Sequence, residues 1–196
     1  MEDYDGQLSA AIIRNIKDVE AAITHAEDVV DERLSKEWNE AFERVQKKGE
    51  WYYSDETSWD GWFCPLRWTS EGGRKRSSKA WFDIVTLGDD YYSWVANFIA
   101  GPPYAALQFA ASPSKTKLLP IYAKKQSVVD ALRGLGWHQE GTSFRFLLQI
   151  DADALASGFE DDDLSVAAEA FENAASVLDQ SLSFFDELQL EVERVG

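Results

Sequence analysis

The C-terminal stretch of the chain has a regular helical pattern. Residues 164–195 read LSVAAEAFENAASVLDQSLSFFDELQLEVERV. Apolar residues recur there at steps of three and four, which places them on one face of an α-helix. They are Leu164, Ala168, Phe171, Ala175, Leu178, Leu182, Phe185, Leu188 and Val192. The pattern predicts a helix that docks by this face and shows carboxylates on the other.

A second helical pattern occupies the N-terminal part of the chain. Apolar residues recur at steps of three and four from Leu8 to Val45, no proline or glycine interrupts them, and Gly49 is placed as a C-cap. A single helix of about 40 residues would be about 60 Å long, too long for one small domain. We therefore expect a break near residues 31–35. Two arrangements are open: a helical hairpin on the protein's own sheet, or a coiled-coil-like arm that forms a homodimer.

The middle of the chain is aromatic and β-branched, with turn residues between short runs, which is typical of a sheet. A tight hairpin turn is expected at Gly88-Asp89-Asp90, and Pro65 would place its strand at a sheet edge. Residues 126–135 have helical spacing, and residues 118–123 are ambiguous. The predicted strands cover residues 51–53, 62–68, 79–87, 91–100, 105–111 and 143–150.

These patterns predict an α+β fold. It has long N-terminal helices, an aromatic antiparallel sheet of four to six strands, one short helix, and an acidic C-terminal helix packed on the sheet. Residues 1–49 would form an N-terminal helical region and residues 50–196 an α+β domain, together one globular unit. A hydrophobic fraction of 45% is enough for a core, and most of the eight tryptophans should be buried or half-buried in it.

Charge is distributed unevenly along the chain. The net charge is −16, and residues 150–196 carry 13 acids against 1 base. Residues 64–149 carry 11 bases against 6 acids and are mildly basic. Such a molecule is repelled by free nucleic acid, so direct nucleic-acid binding is disfavoured.

The sequence also indicates a compartment. One cysteine, Cys64, cannot form an internal disulfide, and no basic-then-apolar leader or membrane-spanning run occurs. We expect no signal peptide, no membrane span and a cytoplasmic location.

No motif for catalysis, metal or cofactor is found. Residues 151–163 fail the calcium-loop template, because Leu155 and Ala156 stand where an oxygen ligand and a glycine are needed. The two histidines, His25 and His138, lack zinc-ligand spacing, and no phosphate-binding loop occurs. Asp83 is interpreted as an outward-facing strand residue rather than a magnesium ligand. We therefore expect a binding protein rather than an enzyme, without metal or cofactor.

The acidic C-terminal helix is the most specific feature. Carboxylates on a firm helix can imitate a line of phosphates, which suits an inhibitor or immunity-type protein against a basic, nucleic-acid-handling enzyme. The alternative is an acidic face that only confers solubility. Asp161, Asp162 and Asp163 are also interpreted as N-cap and first-turn residues of the helix. The predicted partner-binding residues are Glu160, Asp161, Asp162, Asp163, Glu169, Glu172, Asp179 and Asp186.

A second hypothesis uses the tryptophan-rich region to bind a ligand or peptide. Its candidate residues are Trp59, Trp62, Trp68, Trp81 and Trp94. The basic cluster of Arg74, Lys75, Arg76 and Lys79 could add phosphate contacts to such a surface. We favour pairing of this cluster with the acidic helices, or with solvent.

The order of elements, with Gly136-Trp137 between the short helix and the last strand, resembles that of accessory domains found beside restriction-type nucleases. The resemblance is architectural and covers no specific motif. It implies an accessory role in a defence or restriction system.

Overall fold

The computed structural model of the protein describes residues 6–45, 50–54, 61–69, 78–87, 93–99 and 105–195, and the following elements lie within these ranges. The helices are α1 (Gly6–Arg14), α2 (Ile16–His25), α3 (Asp31–Val45), α4 (Trp94–Ile99), α5 (Lys115–Lys124), α6 (Gln126–Gly134), α7 (Ala152–Asp161) and α8 (Ser165–Val195). The strands are β1 (Trp51–Tyr53), β2 (Trp62–Pro65), β3 (Ala80–Thr86), β4 (Ala105–Ala111), β5 (His138–Glu140) and β6 (Ser143–Leu148). A π-helical turn, Ala26–Val30, joins α2 to α3, and a 3-10 turn, Leu66–Trp68, follows β2.

Some expectations fall outside these ranges. They are the Gly49 cap, the hairpin turn 88–90, and Trp59.

The described strands form one antiparallel sheet in the order β1-β2-β3-β4-β6-β5. The predicted α+β class and strand number are confirmed. The expected edge position of β2 is wrong, because β1 pairs with it on one side and β3 on the other. Pro65 is tolerated there because the register with β3 covers only Trp62 and Phe63, so Pro65 has a paired strand on one side only.

The core lies between the inner face of the sheet and the helices. Phe82 of β3, Phe109 of β4 and Phe144 of β6 point to this face, and α8 lays Phe185 against all three. The apolar face predicted for residues 164–195 is confirmed, since all nine of its residues are buried or half-buried. No helix of the described residues is long and apolar enough to cross a membrane.

The N-terminal helices run on without the expected chain reversal. Helical backbone continues from Ile16 to Val45, so the break near residues 31–35 and the helical hairpin are both wrong. The helix is irregular only in the π turn, Ala26–Val30, just before residues 31–35. The apolar positions 26, 30, 34 and 38 are three four-residue steps, which overshoot three α-helical turns by about 120°. A π turn absorbs about one extra residue and keeps them on one stripe.

The prediction of a strand over residues 91–100 is wrong, because residues 94–99 form helix α4. The physical cause lies far away in the chain. The Asp31 carboxylate accepts hydrogen bonds from the backbone N–H of Trp94 (2.7 Å) and Val95 (2.8 Å), and so caps this short helix from α3. Asp31 is itself buried, which raises the pKa of its carboxyl group against the opposing effect of these two bonds.

Four further corrections concern shorter elements. The strand predicted over residues 62–68 ends at Pro65, and a 3-10 turn follows it. The ambiguous residues 118–123 lie within α5, strand β5 was not predicted, and helix α7, also not predicted, occupies most of residues 151–163. The predictions at 51–53, 79–87, 105–111, 126–135 and 143–150 are confirmed within one or two residues at each end.

Candidate functional site

Four consecutive acids occupy the turn between α7 and α8, which we call the acidic corner (Glu160, Asp161, Asp162 and Asp163). All four side chains are exposed. The expectation that Asp161, Asp162 and Asp163 are N-cap and first-turn residues of the last helix is wrong, because α8 begins at Ser165 and Leu164 takes the N-cap position. Asp163 lies just before the cap, and its carboxylate accepts a hydrogen bond from the backbone N–H of Ser165 (2.9 Å). Asp161 instead ends α7, and Asp162 follows it in the left-handed conformation with φ 55°.

The corner is shaped by one close backbone approach. The carbonyl of Gly158 accepts hydrogen bonds from the backbone N–H groups of Asp162 and Asp163, the latter at 2.7 Å. A β-carbon at position 158 would clash with the Asp163 carbonyl oxygen. Glycine is therefore required inside the last turn of α7, and the four acids project from a fixed turn rather than from a loose loop.

One cation reaches the acidic corner from α3. Arg33 forms an ion pair with Asp162 at 2.6 Å, and its guanidinium lies over the Phe159 ring at 4.8 Å from the centroid. The Asp162 side chain remains 86% exposed. The corner thus stays strongly acidic and is anchored at the point where α3 begins.

Further along α8, carboxylates recur every seven residues on one edge of the helix. Three of them form what we call the ion-pair seam: Glu172 with Arg44 of α3 (2.6 Å), Asp186 with Arg67 of the 3-10 turn (2.9 Å), and Glu193 with Lys79 before β3 (3.5 Å). Seven residues are about two helical turns, so the seam joins the length of α8 to α3 and to the sheet.

Asp186 is the most deeply engaged acid of the seam. Its carboxylate accepts hydrogen bonds from Nε and Nη2 of Arg67 and from the indole N–H of Trp68 (2.6 Å). Trp68 is only 4% exposed, and its indole stacks on Phe82. Asp186 therefore holds a core tryptophan in place and is not available to a partner.

The predicted partner-binding residues thus divide into two groups. Asp162, Glu172 and Asp186 are used in internal ion pairs. Among the residues that the structure describes, no cation lies within salt-bridge distance of the other five. These five are Glu160, Asp161, Asp163, Glu169 and Asp179, and all five are exposed.

No protein-family model, curated protein or solved structure matches the chain.

The outer face of the sheet carries a second cluster, which we call the polar row (Trp62, Asp83, Gln108, Arg145 and His138). The strand register places each of these residues beside the next across β2, β3, β4, β6 and β5. Arg145 donates to the Gln108 side-chain oxygen (3.0 Å), and the Gln108 amide donates to Asp83 (3.3 Å). A continuous hydrogen-bonded chain therefore crosses the middle of the sheet.

Neighbouring groups extend the polar row at both ends. The Trp81 indole donates to Asp83 (3.0 Å), and Arg145 pairs with Glu140. Tyr52 lies beside Trp62, with 5.1 Å between the ring centroids. Burial raises the pKa of Asp83, while the bonds from Trp81 and Gln108 and the nearby Arg145 oppose the rise. The alternation of apolar and polar residues in β3 and β6 predicts that these side chains lie on the outer face. Which of them are neighbours depends on the strand register, which a single sequence does not show.

The tryptophans proposed as a ligand surface do not lie together. Trp62 and Trp81 are on the outer face, whereas Trp68 is in the core and Trp94 begins α4. Trp59 lies outside the described residues.

The remaining chemical candidates stay separate. His25 ends α2 and His138 is exposed on β5. Burial raises the pKa of Cys64 to about 11, so its thiol stays protonated at neutral pH. Within the described part of the chain, no three His, Cys, Asp or Glu residues cluster as metal ligands. Lys79 pairs with Glu193, as favoured for the basic cluster, and the rest of that cluster lies outside the described residues.

Substituting Gly158→Ala should destabilise the protein, although Gly→Ala inside a helix usually stabilises. The added β-carbon meets the Asp163 carbonyl, and we expect the free energy of unfolding to fall by about 1–3 kcal/mol in urea denaturation. Gly134→Ala is the matched control, because no atom lies within 4 Å of its added β-carbon. Its free energy of unfolding should be unchanged or higher by up to about 1 kcal/mol. Equal effects of the two variants would contradict the close approach at Gly158.

Substituting Asp186→Ala should lower the free energy of unfolding by about 2 kcal/mol, because it leaves the Trp68 indole N–H without its acceptor. Asp179→Ala, two turns earlier on the same edge and exposed, should change it by less than about 0.5 kcal/mol. Urea titration followed by tryptophan fluorescence measures both. A smaller loss for Asp186→Ala than for Asp179→Ala would refute the structural role.

Substituting Asp83→Asn should change how stability depends on pH. The pKa of Asp83 is raised on folding, so the stability that this group contributes is present below its unfolded pKa and is lost as pH rises through the folded value. Asparagine cannot ionise. The free energy of unfolding of the variant minus that of the wild type should therefore increase as pH rises from 3 towards 7.

The amide introduced by Asp83→Asn also offers one acceptor fewer to the Trp81 indole and the Gln108 side chain. That loss changes the free energy of unfolding of the variant by the same amount at every pH. The slope of the variant-minus-wild-type difference against pH is therefore unchanged. Thermal or urea unfolding at several pH values gives the slope, and a flat or falling difference would contradict the raised pKa.

Proposed function

We propose that the protein is a non-enzymatic binding protein that engages a basic protein partner through the acidic corner. The supporting observation is that four consecutive carboxylates are exposed on a turn fixed by Gly158. Glu169, exposed in the second turn of α8, extends this surface. A fixed, dense set of carboxylates attracts a basic groove and steers the encounter electrostatically.

The partner class follows from this charge pattern. Enzymes that handle nucleic acids have basic grooves for phosphates, and a rigid cluster of carboxylates competes for them. We propose an inhibitor or immunity-type relationship with such an enzyme in the cytoplasm. The contact surface in this proposal is shorter than the predicted one, because Glu172 and Asp186 are committed to the ion-pair seam.

The test is capture of partners from the cell lysate, comparing the wild type with a variant in which four acids are charge-reversed. Reversing Glu160, Asp161, Asp163 and Glu169 to lysine changes the net charge of −16 by eight, to −8. We expect the wild type to retain a basic nucleic-acid enzyme at low salt and to release it at high salt. The reversed variant should fail to retain it at either salt concentration.

The matched control reverses four exposed acids that lie away from the corner, Asp18, Glu20, Asp130 and Asp179, with the same change in net charge. This dispersed variant should keep most of the affinity. Equal loss in both variants would show that net charge alone is responsible, and unchanged binding in the corner variant would exclude the acidic corner. Capture of a restriction-type nuclease would favour an accessory role in a defence system.

A second candidate function is binding of a ligand or peptide on the outer face of the sheet. It is favoured by the polar row, which places Arg145, Gln108 and Asp83 in one chain beside the paired rings of Tyr52 and Trp62. A partner held through high salt and lost in Arg145→Met would support this surface and not the acidic corner.

A further inference from the structure

The N-terminal arm, residues 9–30, is sparsely packed: among its described residues, only Val30 at its end packs partly against the core. No residue of α2 or of the π turn is buried, and every described side chain from Ser9 to Val30 is exposed or half-buried. Isolated helices of this length are marginal in water, because most helical stability comes from tertiary contacts. An arm of this kind requires a partner surface.

The arm carries an apolar stripe suited to such a partner. Its residues are Ile12, Ile16, Val19, Ile23, Ala26 and Val30. Their steps alternate between four and three, which is the spacing of the a and d positions of a coiled coil. Ile12 lies on α1, before the non-helical Asn15 (φ −116°, ψ 19°), and the other five follow it. Ile12 and Ile16 are 43% and 44% exposed, so this face is open to solvent where the arm begins.

The same stripe continues into a helix pair within the protein. Leu34 and Trp38 follow Val30 on one face and are buried, and Trp38 meets Phe171 of α8 edge to face at 5.4 Å. The arm therefore extends the face of α3 that packs against α8. It extends this face beyond the Arg33–Asp162 ion pair, past the N-terminal end of α8.

We propose that the occupant of this stripe is the arm of a second copy of the chain, in antiparallel orientation. That register layers Ile12 on Val30, Ile16 on Ala26 and Val19 on Ile23, so every layer pairs two apolar residues. All six stripe positions are used, and each pair also occurs in reverse as two-fold symmetry requires.

Charge selects the antiparallel orientation. Residues 9–17 of the arm carry Arg14 and Lys17 and no acid, its middle carries Asp18 and Glu20, and its end carries Glu27 and Asp28. Antiparallel pairing brings the basic start of each arm beside the acidic end of the other. It also keeps apart two chains of net charge −16, whose acidic corners are fixed at the base of the arm by Arg33. Parallel pairing would bring those corners together.

The first experiment is light scattering of the full chain over a concentration series. The expected mass of the wild type is twice the 22.1 kDa of one chain, falling towards 22.1 kDa on dilution. Ile16→Glu combined with Ile23→Glu should be monomeric at every concentration, because it buries four carboxylates in the dimer. A wild type that is monomeric at every concentration overturns the proposal.

The matched control places the same two charges on the exposed side of the arm, with Ala21→Glu and Thr24→Glu. This variant should remain dimeric. No tryptophan lies in residues 9–30, so the near-ultraviolet circular dichroism of the body should be unchanged in both variants and shows that they fold. A dimer that survives Ile16→Glu with Ile23→Glu places the interface elsewhere and overturns the proposal.

Orientation is tested by disulfide formation between arms that each carry one added cysteine. A mixture of Val19→Cys and Ile23→Cys chains, one of them carrying a larger tag, should form mixed disulfide dimers, whereas each variant alone should not. Ready cross-linking of each variant with itself, without the mixed product, would show a parallel arm and overturn the antiparallel register.

Discussion

The structure depends on one helix face meeting one sheet face around Phe185. Its ring stacks on Phe109 at 4.6 Å between centroids and meets Trp137 at 4.8 Å and Phe82 at 5.2 Å. These three rings come from β4, the approach to β5, and β3, so a single side chain of α8 ties together elements from different parts of the chain. Trp137 is held further by its indole N–H, which donates to the Ser181 hydroxyl on the same helix (2.8 Å).

Elements set by local sequence patterns could be predicted, whereas features set by contacts between distant residues could not. The period of α8 and the alternation in β3, β4 and β6 are local and were predicted. Helix α4 was missed because its capping residue, Asp31, lies 63 positions away in the sequence. The Asp31 carboxylate accepts a hydrogen bond from the backbone N–H of Trp94. The polar row was missed because it depends on strand register. The acidic corner precedes α8 instead of opening it, because residues 152–161 form a helix of their own.

Charge shows the same limit. The sequence counts 13 acids in the last 47 residues and predicts one continuous acidic face. In the folded protein, five cations from other parts of the chain neutralise a part of it: Arg33, Arg44, Arg67, Lys79 and Lys125. What remains is a compact corner and isolated carboxylates rather than a line. A count of charges along a chain thus describes a surface only after the internal pairs have been removed.

The contact between α3 and α8 joins two helices that are far apart in the chain, and it has a consequence for synthesis. Arg33 and Asp162, at the near end of that contact, are separated by 129 positions. During translation the apolar face of α3, with Leu34 and Trp38, therefore leaves the ribosome long before the helix that covers it exists. The apolar face of α3 therefore stays exposed while the strands of the sheet are synthesised. It can be buried only after α8 has been made.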